Sequence, residues 1–431
     1  MEPAPVKADN RLHPPRMRPT TAIGIRTLRR AAASVGQDEG METLELMELL
    51  SAEGLRLLDS LPAYQSTDDV LRSVAQLRKA GHGPGLVAAV LNQAKLRAKA
   101  RPKFGPFADR MLFTEAGLEQ ATRLQVAAQH AGRFQRAGVS WVADLGCGIG
   151  ADALAIAALD IEVTGVERDE VTAAIASFNL APWSNARIEN EDVTEFDLSG
   201  VDGIYLDPAR RDGVRRLRNP ADWSPSLDFA FELATRYPTG IKLGPGIDRD
   251  LIPDAAEAQW ISVGRDVLEV GLWFGSLARP GVGRAALIVS DQGTSELTAA
   301  ADSEDAEVGA LGEYVYEPDG AVIRARLIGD LVRSLDGRMV DRTIAYFTSD
   351  APLSTPFATG FRVIESFPFD EKLLKRELGA RKIGTLEIKK RGMDVDPAQL
   401  RTRLSLKGSA SATLILTRVG GKRVALLAER V

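Results

Sequence analysis

The strongest indication of a ligand-binding site in this sequence is a glycine-rich segment, Val142-Ala-Asp-Leu-Gly-Cys-Gly-Ile-Gly150. An apolar stretch typical of a buried strand runs into a turn whose glycines let the backbone approach a ligand closely. A second apolar stretch, 162–166, ends at Glu167, whose carboxylate can accept hydrogen bonds from both hydroxyls of a ribose. This unit predicts a site for a cofactor that contains adenosine.

Two further acidic residues follow the next predicted strands. Asp192 comes after a third strand around Ile188 and is placed to bond an adenine amino group. Asp207-Pro208 ends a fourth strand, at the carboxyl edge where open α/β sheets bind their ligands. The glycine turn alone is also compatible with another Rossmann-like domain, but its order, Asp-x-Gly-x-Gly-x-Gly, differs from the dinucleotide pattern Gly-x-Gly-x-x-Gly.

Residues 113–290 resemble the class I methyltransferases that use S-adenosylmethionine (SAM), on the motifs just given. The resemblance implies an α/β fold with a Rossmann-like, seven-stranded methyltransferase sheet, in which the glycine loop binds the methionine of SAM. The segment 113–122 resembles one that folds over that methionine in many methyltransferases, although a simple helix start remains an alternative. The residues expected to bind the cofactor are Gln120, Thr122, Asp144, Gly146, Cys147, Gly148, Glu167, Asp192 and Val193.

The motif Asp207-Pro208 is the expected catalytic element. In relatives that methylate amino groups, an Asp/Asn-Pro-Pro-aromatic motif accepts hydrogen bonds from the amine and stacks on the base. Here the acceptor Asp207 is present, but Ala209-Arg210 replaces the aromatic. We expect Asp207 to orient the substrate, the alternative being an acid that caps the next turn. Arg210 and Arg211 are expected to contact a phosphate or carboxylate, unless they belong to a solvated loop.

One chemistry is disfavoured by the composition. Methylation at C5 of a pyrimidine usually needs a cysteine nucleophile, and the only cysteine, Cys147, lies inside the glycine loop. A single cysteine also excludes an internal disulfide and a cysteine-based zinc cluster, and the three histidines show no ligand spacing, so no metal is expected. No apolar run could span a bilayer and the N-terminus lacks a secretory signal, which predicts a cytoplasmic protein.

The chain order predicts five segments. Residues 1–40 are a disordered tail or an over-extended start, 41–110 a helical domain, and 111–300 the methyltransferase domain. In the methyltransferase domain we expect a fifth strand with its turn at 239–246, a sixth strand at 266–275, a seventh at 284–290, and then a loop over 291–309. Residues 301–340 are a linking region that is helical after Tyr316, and 341–431 a basic module of order β-α-β-α-β-β.

The C-terminal module carries most of the positive charge. Residues 371–431 contain 15 Lys and Arg against 6 Asp and Glu, a charge of +9, so the rest carries −14 of the net −5. This asymmetry favours a polyanionic partner, although a solvated basic surface gives the same count. The whole order resembles bacterial methyltransferases with a C-terminal THUMP-like domain, on the matching segments 113–122, 207–211, 316–325 and 386–392.

THUMP domains proper help to hold tRNA, so the resemblance implies an RNA partner, contacted by Lys389, Lys390 and Arg391 among others. The sequence therefore predicts a SAM-dependent enzyme that methylates a base nitrogen of RNA, either tRNA or rRNA. The alternatives are a methyltransferase for a small molecule or protein, and a non-catalytic protein that binds SAM or RNA. Neither the methylated atom nor the oligomeric state follows from the sequence.

Overall fold

The computed structural model describes residues 46–61, 67–208, 211–212, 215–216 and 223–431. The expected tail over residues 1–40 and the substrate residue Arg210 lie outside this range. The chain forms two compact units, one reaching to Lys242 and including Phe274–Leu277, the other made of Leu243–Trp273 and Ala278–Val431.

The first unit begins with helices. They are α1 Ala52–Ser60, α2 Thr67–Lys79, α3 Pro84–Phe104, a 3-10 turn Gly105–Arg110, α4 Glu115–Gln120 and α5 Leu124–Ala137. Ser51 caps α1 by accepting a hydrogen bond from the Gly54 N–H at 3.0 Å. Helix α3 starts at a proline, as first-turn positions favour, and ends at Gly105 with a φ of 54°. These helices form the predicted helical segment that precedes the first strand.

The sheet of the first unit positions the predicted cofactor residues. Its elements are β1 Trp141–Leu145, α6 Ala151–Ala157, β2 Glu162–Val166, α7 Glu170–Leu180, β3 Ala186–Glu189, β4 Gly203–Leu206, the two-residue strands β5 Arg211–Asp212 and β6 Arg215–Arg216, α8 Leu227–Ala234 and β7 Thr239–Leu243. Strands β7, β4, β1, β2 and β3 lie side by side and all run parallel. Their carboxyl ends therefore share one edge, where Asp144, Glu167 and Asp207 occur.

The second unit contains a strand that the sequence analysis missed. Its first strands are β8 Glu257–Val263, β9 Asp266–Phe274, β10 Arg284–Ser290 and β11 Gly293–Ala299. Strand β8 is antiparallel to β9 and parallel to β10, and β11 is antiparallel to β10. The expected sixth strand is thus preceded by an unpredicted one, β8. The expected loop over 291–309 is wrong as well, since β11 occupies its first part.

The C-terminal part of the second unit is a sheet of order β13-β14-β12-β15-β18-β17-β16. Its elements are β12 Tyr314–Pro318, α9 Gly320–Arg324, α10 Ile328–Ser334, β13 Arg338–Asp341, β14 Ile344–Ser349, β15 Ala358–Pro368, α11 Glu371–Ala380, β16 Ile383–Lys390, α12 Pro397–Leu404, β17 Ala410–Val419 and β18 Lys422–Arg430. The β-α-β-α-β-β order from β15 onward is the predicted one. Residues 301–340, expected to be a linking region, contribute β12 and β13 to this sheet.

Alternating side chains give this sheet two apolar faces. Along β17, Leu414 and Leu416 pack in one buried cluster with Leu374 of α11 and Leu400 of α12. Ile415, between them, belongs to a second cluster with residues of β12 and β14. Since β17 is buried on both faces, its sequence is apolar over most of its length, and this made the strand recognisable from sequence. Over the described residues, the helices are all too short or too polar to cross a membrane.

Candidate active site

The glycine turn connects β1 to α6 and leaves an open surface. Gly146, Gly148 and Gly150 have φ values of 85°, 55° and 83°, a region that favours glycine. The N–H groups of Gly146 and Cys147 both donate to the carbonyl of Val166 at the end of β2, at 2.9 and 3.1 Å. A Cβ atom placed on Gly148 would meet nothing within 4 Å. The turn is therefore fixed from beneath while a ligand can approach its outer side.

Glu167 lies directly beyond β2 and touches this turn. Its Oε2 accepts from the Gly148 N–H at 3.1 Å, and its Oε1 accepts from the Asp169 N–H at 2.9 Å. Burial raises the pKa of Glu167, although the two backbone N–H groups oppose the shift. Each carboxylate oxygen carries a second lone pair beyond the one used here. The side chain is thus held in place and can still accept from two hydroxyls.

Asp192 and Asn190 shape the neighbouring loop after β3. The Nδ2 of Asn190 donates to the carbonyls of Glu167 and Arg168 at 2.8 and 3.1 Å, which ties the ends of β3 and β2 together. Asp192 Oδ1 accepts from the backbone N–H and the hydroxyl of Thr194, and these bonds lower the pKa of its carboxyl. Val193, the next residue, is half-buried. The predicted adenine contacts therefore sit on a loop that is anchored to Glu167.

Asp144 is a buried acid that the protein leaves partly unsatisfied. Its side chain is 1% exposed, and Oδ2 has no hydrogen-bond partner among the described residues. Burial raises its pKa well above the usual value, and the nearby carboxylates of Asp152 and Asp207 raise it further. A buried acceptor without a partner is costly unless a ligand supplies the missing donor. This position fits the positively charged amino end of a bound ligand.

Asp207 forms an ion pair that the sequence analysis did not predict. Because Leu206 of β4 is in register with Ile241 of β7, the next residues, Asp207 and Lys242, lie side by side at the sheet edge. Lys242 Nζ is 2.5 Å from Asp207 Oδ2 and donates to Thr122 Oγ1 at 2.9 Å. The lysine side chain is only 12% exposed. Asp207 is accordingly fixed by a half-buried charged partner, and Pro208 behind it is buried.

A second buried group extends this network. His130 Nδ1 lies 2.8 Å from Asp152 Oδ1 and 2.9 Å from the Tyr205 hydroxyl. Burial would raise the pKa of Asp152, but hydrogen bonds from His130 and Thr122 and the charge of Lys242 outweigh it and lower the pKa. Thr122 therefore links the two halves of the network. Tyr205 is therefore a buried member of the network.

The segment 112–122 is bound to the framework by side chains from elsewhere. Asn179 of α7 bonds the N–H and carbonyl of Leu112 and also donates to the Ile149 carbonyl of the glycine turn. Lys103 Nζ donates to the carbonyls of Leu118, Glu119 and Ala121 at the end of α4. Burial, with the charges of Arg123 and Lys242, lowers the pKa of Lys103 to about 8.

The structure separates the predicted residues of this segment. Thr122 is buried in the network, whereas Gln120 is exposed at the end of α4. Gly117 lies against the Ile149 side chain, so α4 sits beside the glycine turn as its proposed role requires. Cys147 is buried, its thiol lies against Gly165 of β2, and burial raises its pKa well above the usual value. That environment is unsuited to a thiolate nucleophile.

Residues expected to contact the substrate fall in three environments. Lys389 is paired with Glu317 at 2.6 Å, Lys390 is exposed, and Arg391 lies over the ring of Tyr346 at 5.5 Å. Arg210 lies outside the described residues, and for Arg211 only the backbone, in β5, is described. Within the described parts of the chain, no three His, Cys, Asp or Glu residues lie together as a metal site.

Sequence reasoning missed Lys242, Asp152 and His130. A signal for Lys242 was available, because a lysine near the end of an otherwise apolar parallel strand is rarely buried without a function or a partner. Asp152 and His130 gave no comparable signal, since each sits singly in a helix and their pairing depends on how α5 packs against α6.

Two family models match parts of this chain, and a known relative matches most of its length. A family model described as THUMP domain-like matches residues 358–430, and a model of a domain of unknown function matches residues 42–100. An uncharacterized S-adenosylmethionine-dependent methyltransferase of Mycobacterium tuberculosis is 33% identical over 354 residues, covering 78% of this chain and 93% of the relative; the match is the same in strains CDC 1551 and H37Rv.

A solved structure shares the fold. The crystal structure of a protein from Porphyromonas gingivalis W83, thought to be a methyltransferase, superposes with a TM-score of 0.70 at 21% sequence identity. The match covers 92% of this chain and 99% of that one. The shared architecture therefore extends over nearly the whole molecule.

Proposed function

Since the chain belongs to the family of S-adenosylmethionine-dependent methyltransferases, we propose that it transfers the methyl group of SAM to a base nitrogen of RNA. The observation that carries the RNA substrate is the pairing of the catalytic fold with a THUMP domain-like region, residues 358–430, in a stretch whose charge is +9 over 371–431. Such a surface suits a phosphate backbone. The THUMP-like family match supports the same assignment.

The residues at the sheet edge fit SAM. Glu167 would accept from the two ribose hydroxyls, the loop of Asp192 and Val193 would face the adenine, and Asp144 would accept from the amino group of the methionine. The unpartnered Oδ2 of Asp144 and the open outer side of Gly148 are the observations behind this fit. When bound, SAM supplies a methyl group on a sulfonium sulfur, an intrinsically good leaving group.

Asp207 would orient the nucleophile. A base nitrogen attacks productively only when its lone pair points at the methyl carbon, so the protein's main contribution is positioning. Asp207 would accept a hydrogen bond from the N–H of the target base, and Lys242 holds that carboxylate in place from the other side. Lys242 is in turn fixed by Thr122 on the segment beside the glycine turn. The network therefore links the segment beside the glycine turn to the position of Asp207.

The test is transfer of labelled methyl groups from SAM to RNA isolated from a strain that lacks this protein. RNA from the parent strain serves as control, because its sites should already be methylated. Asp207→Ala should abolish labelling while SAM binding persists, and Asp228→Ala, which removes an exposed carboxylate on α8, should label normally. Nucleoside digestion then identifies the methylated atom.

The proposal fails in distinguishable ways. Label in proteins or small metabolites but not in RNA would move the substrate to those classes. SAM binding without any transfer would indicate a non-catalytic binding protein. Labelling that survives Asp207→Ala unchanged would leave the RNA assignment intact and remove the role of Asp207.

A further inference from the structure

The second unit contains an open groove of about 570 Å³ whose walls are basic. Four of its lining side chains are arginines, and no Asp or Glu is among the lining residues. We call it the arginine groove, defined by Arg249, Arg324, Arg326 and Arg391. Only Arg391 belongs to the +9 region, whereas the other three lie in the part of the chain whose net charge is −14. Their concentration in one groove is therefore a local exception to the acidic composition of that part of the chain.

Two arginines on one wall are held in place by hydrogen bonds to backbone carbonyls. Arg249 Nη1 donates to the carbonyl of Arg324 at 2.6 Å, and Arg324 Nη1 donates to the carbonyl of Pro245 at 3.0 Å. The Arg249 guanidinium also lies over the buried ring of Trp260 at 5.4 Å. A guanidinium has five N–H donors, so a single bond to Pro245 leaves Arg324 with donors for a ligand. The wall is preorganised rather than dependent on a ligand for its shape.

The positive charge around this wall exceeds the negative charge that faces it. Asp302 pairs with three guanidiniums, those of Arg249 at 2.5 Å, Arg284 at 2.9 Å and Arg326 at 3.7 Å. One carboxylate cannot balance three cations. Burial lowers the pKa of Arg249, and the charges of Arg284 and Arg326 act in the same direction, while the charge and hydrogen bond of Asp302 oppose the shift. An anion in the groove would relieve this repulsion.

We propose that the arginine groove binds the phosphodiester backbone of a single-stranded segment of the RNA substrate. The inference rests on the proposed function, and it adds a contact surface outside the cofactor site. Guanidinium groups match the paired oxygens of a phosphate, and a polynucleotide repeats that charge along its length. Trp260, the groove's only aromatic lining residue, is 1% exposed and covered by Arg249, so it offers no stacking surface. The groove therefore contacts phosphates and leaves the choice of base to other residues.

The chain position of the groove supports this role. Pro245 and Gly246 follow Lys242 by three and four residues, and Arg391 follows the last strand residue of β16 within the THUMP-like match. The groove thus draws one residue from the proposed RNA-holding domain and its first lining residues from the turn after the strand that carries Lys242.

The test measures binding of the full-length protein to a fluorescein-labelled oligouridylate by fluorescence anisotropy, at several salt concentrations. For single strands each lost phosphate contact makes the negative slope of log K against log salt shallower by about 0.7. Arg324→Gln/Arg326→Gln should make the slope shallower by about 1.4, and Arg391→Gln by about 0.7. The affinity of the double variant should fall at least tenfold at low salt.

The matched control is Arg187→Gln/Arg236→Gln. Both arginines are exposed side chains of the first unit, and the double change removes the same charge. Thermal melting of each variant checks its fold, and Arg324→Lys/Arg326→Lys, which keeps the charge, should restore most of the salt dependence. If the groove variant and the control lose the same affinity and the same salt dependence, only net charge matters, and the inference is overturned.

Two further outcomes separate this inference from the proposed function. If the unmodified protein does not bind the oligouridylate, the RNA proposal and the groove fall together. If it binds but the groove variant binds equally well with an unchanged slope, the groove alone is wrong. Competition by uridine monophosphate at the same nucleotide concentration, as strong as that of unlabelled oligouridylate, would show that the groove takes single phosphates and would also overturn it.

Discussion

Replacing Glu167 by alanine should weaken SAM binding by about thirtyfold. The carboxylate would accept from two ribose hydroxyls, and a hydrogen bond to a charged group is worth about 1.5–3 kcal/mol. Two such bonds would amount to about 3–6 kcal/mol, but Glu167 is only half-buried, so water replaces part of the interaction in the variant. A net loss of about 2 kcal/mol corresponds to about thirtyfold in Kd.

The assay is isothermal titration calorimetry of the full-length protein with SAM and, separately, with S-adenosylhomocysteine. Both ligands carry the same ribose, so both affinities should fall by the same factor. Glu162→Ala, an exposed acid at the start of the same strand, is the matched control and should bind normally. Because Glu167 also accepts from the N–H groups of Gly148 and Asp169, the melting temperature of each variant is needed to show that the turn persists.

Unchanged dissociation constants for both ligands would refute the ribose assignment. A loss confined to SAM would also contradict it, because the ribose cannot distinguish the two ligands. Glu167→Asp retains the charge on a shorter side chain, and we expect it to lie between the unmodified protein and the alanine variant.

Three further predictions follow from the buried charges. Lys242→Met should lower the turnover number for methyl transfer by about thirtyfold and leave the Kd for SAM within about twofold. The reason is that a misplaced Asp207 affects the methyl transfer more than it affects cofactor binding. An unchanged turnover number would exclude a positioning role for Lys242. Because burial raises the pKa of Asp144, its carboxyl should lose a proton when SAM binds, and calorimetry in buffers of different ionisation enthalpy measures that release. No proton release would contradict the assignment. Lys103 has a pKa of about 8 in the folded protein against 10.5 ordinarily, so the unfolded chain binds more protons between these values, and the contribution of Lys103 to stability should rise over that pH range. The melting temperature of the unmodified protein relative to Lys103→Met should therefore be higher at pH 10 than at pH 7, and equal differences would refute the assignment.

The sequence was most informative where chemistry and periodicity coincide. The run of glycines, together with acids directly after apolar strands, predicted which edge of the sheet would hold the cofactor without any knowledge of strand pairing. The order of the C-terminal module was recoverable for a similar reason, because β17 and β18 alternate or run apolar over most of their length. These signals are local, and each can be recognised in a single segment.

Strand β8 was missed because its polar residues are satisfied by distant partners. Glu257 and Gln259 are buried, and they interrupt the apolar pattern that would indicate a strand. Arg279 bonds Glu257 on β8 and Glu296 on β11, and Gln259 donates to Glu296 as well. The strand therefore tolerates buried polar groups that no local pattern accounts for, and the same contacts hold β11, whose mostly polar sequence was expected to form a loop.

The ion pair of Asp207 and Lys242 could not be predicted from sequence for a different reason. Each residue was in a predicted strand or strand end, but their contact depends on β4 and β7 being neighbours in register. The two residues are separated by helix α8 and by the segment 209–222, much of which lies outside the described residues. Strand order at this point, rather than residue type, decides the chemistry of the site.

The single cysteine gives the chain a built-in reporter of the glycine turn. Cys147 is 9% exposed, its thiol pKa is raised by burial, and the chain has no other thiol. A thiol reagent can therefore label the native protein only when the turn opens away from Gly165. The labelling rate would time that opening directly in the unmodified chain, and its slowing by a bound ligand would measure how much the ligand tightens the turn.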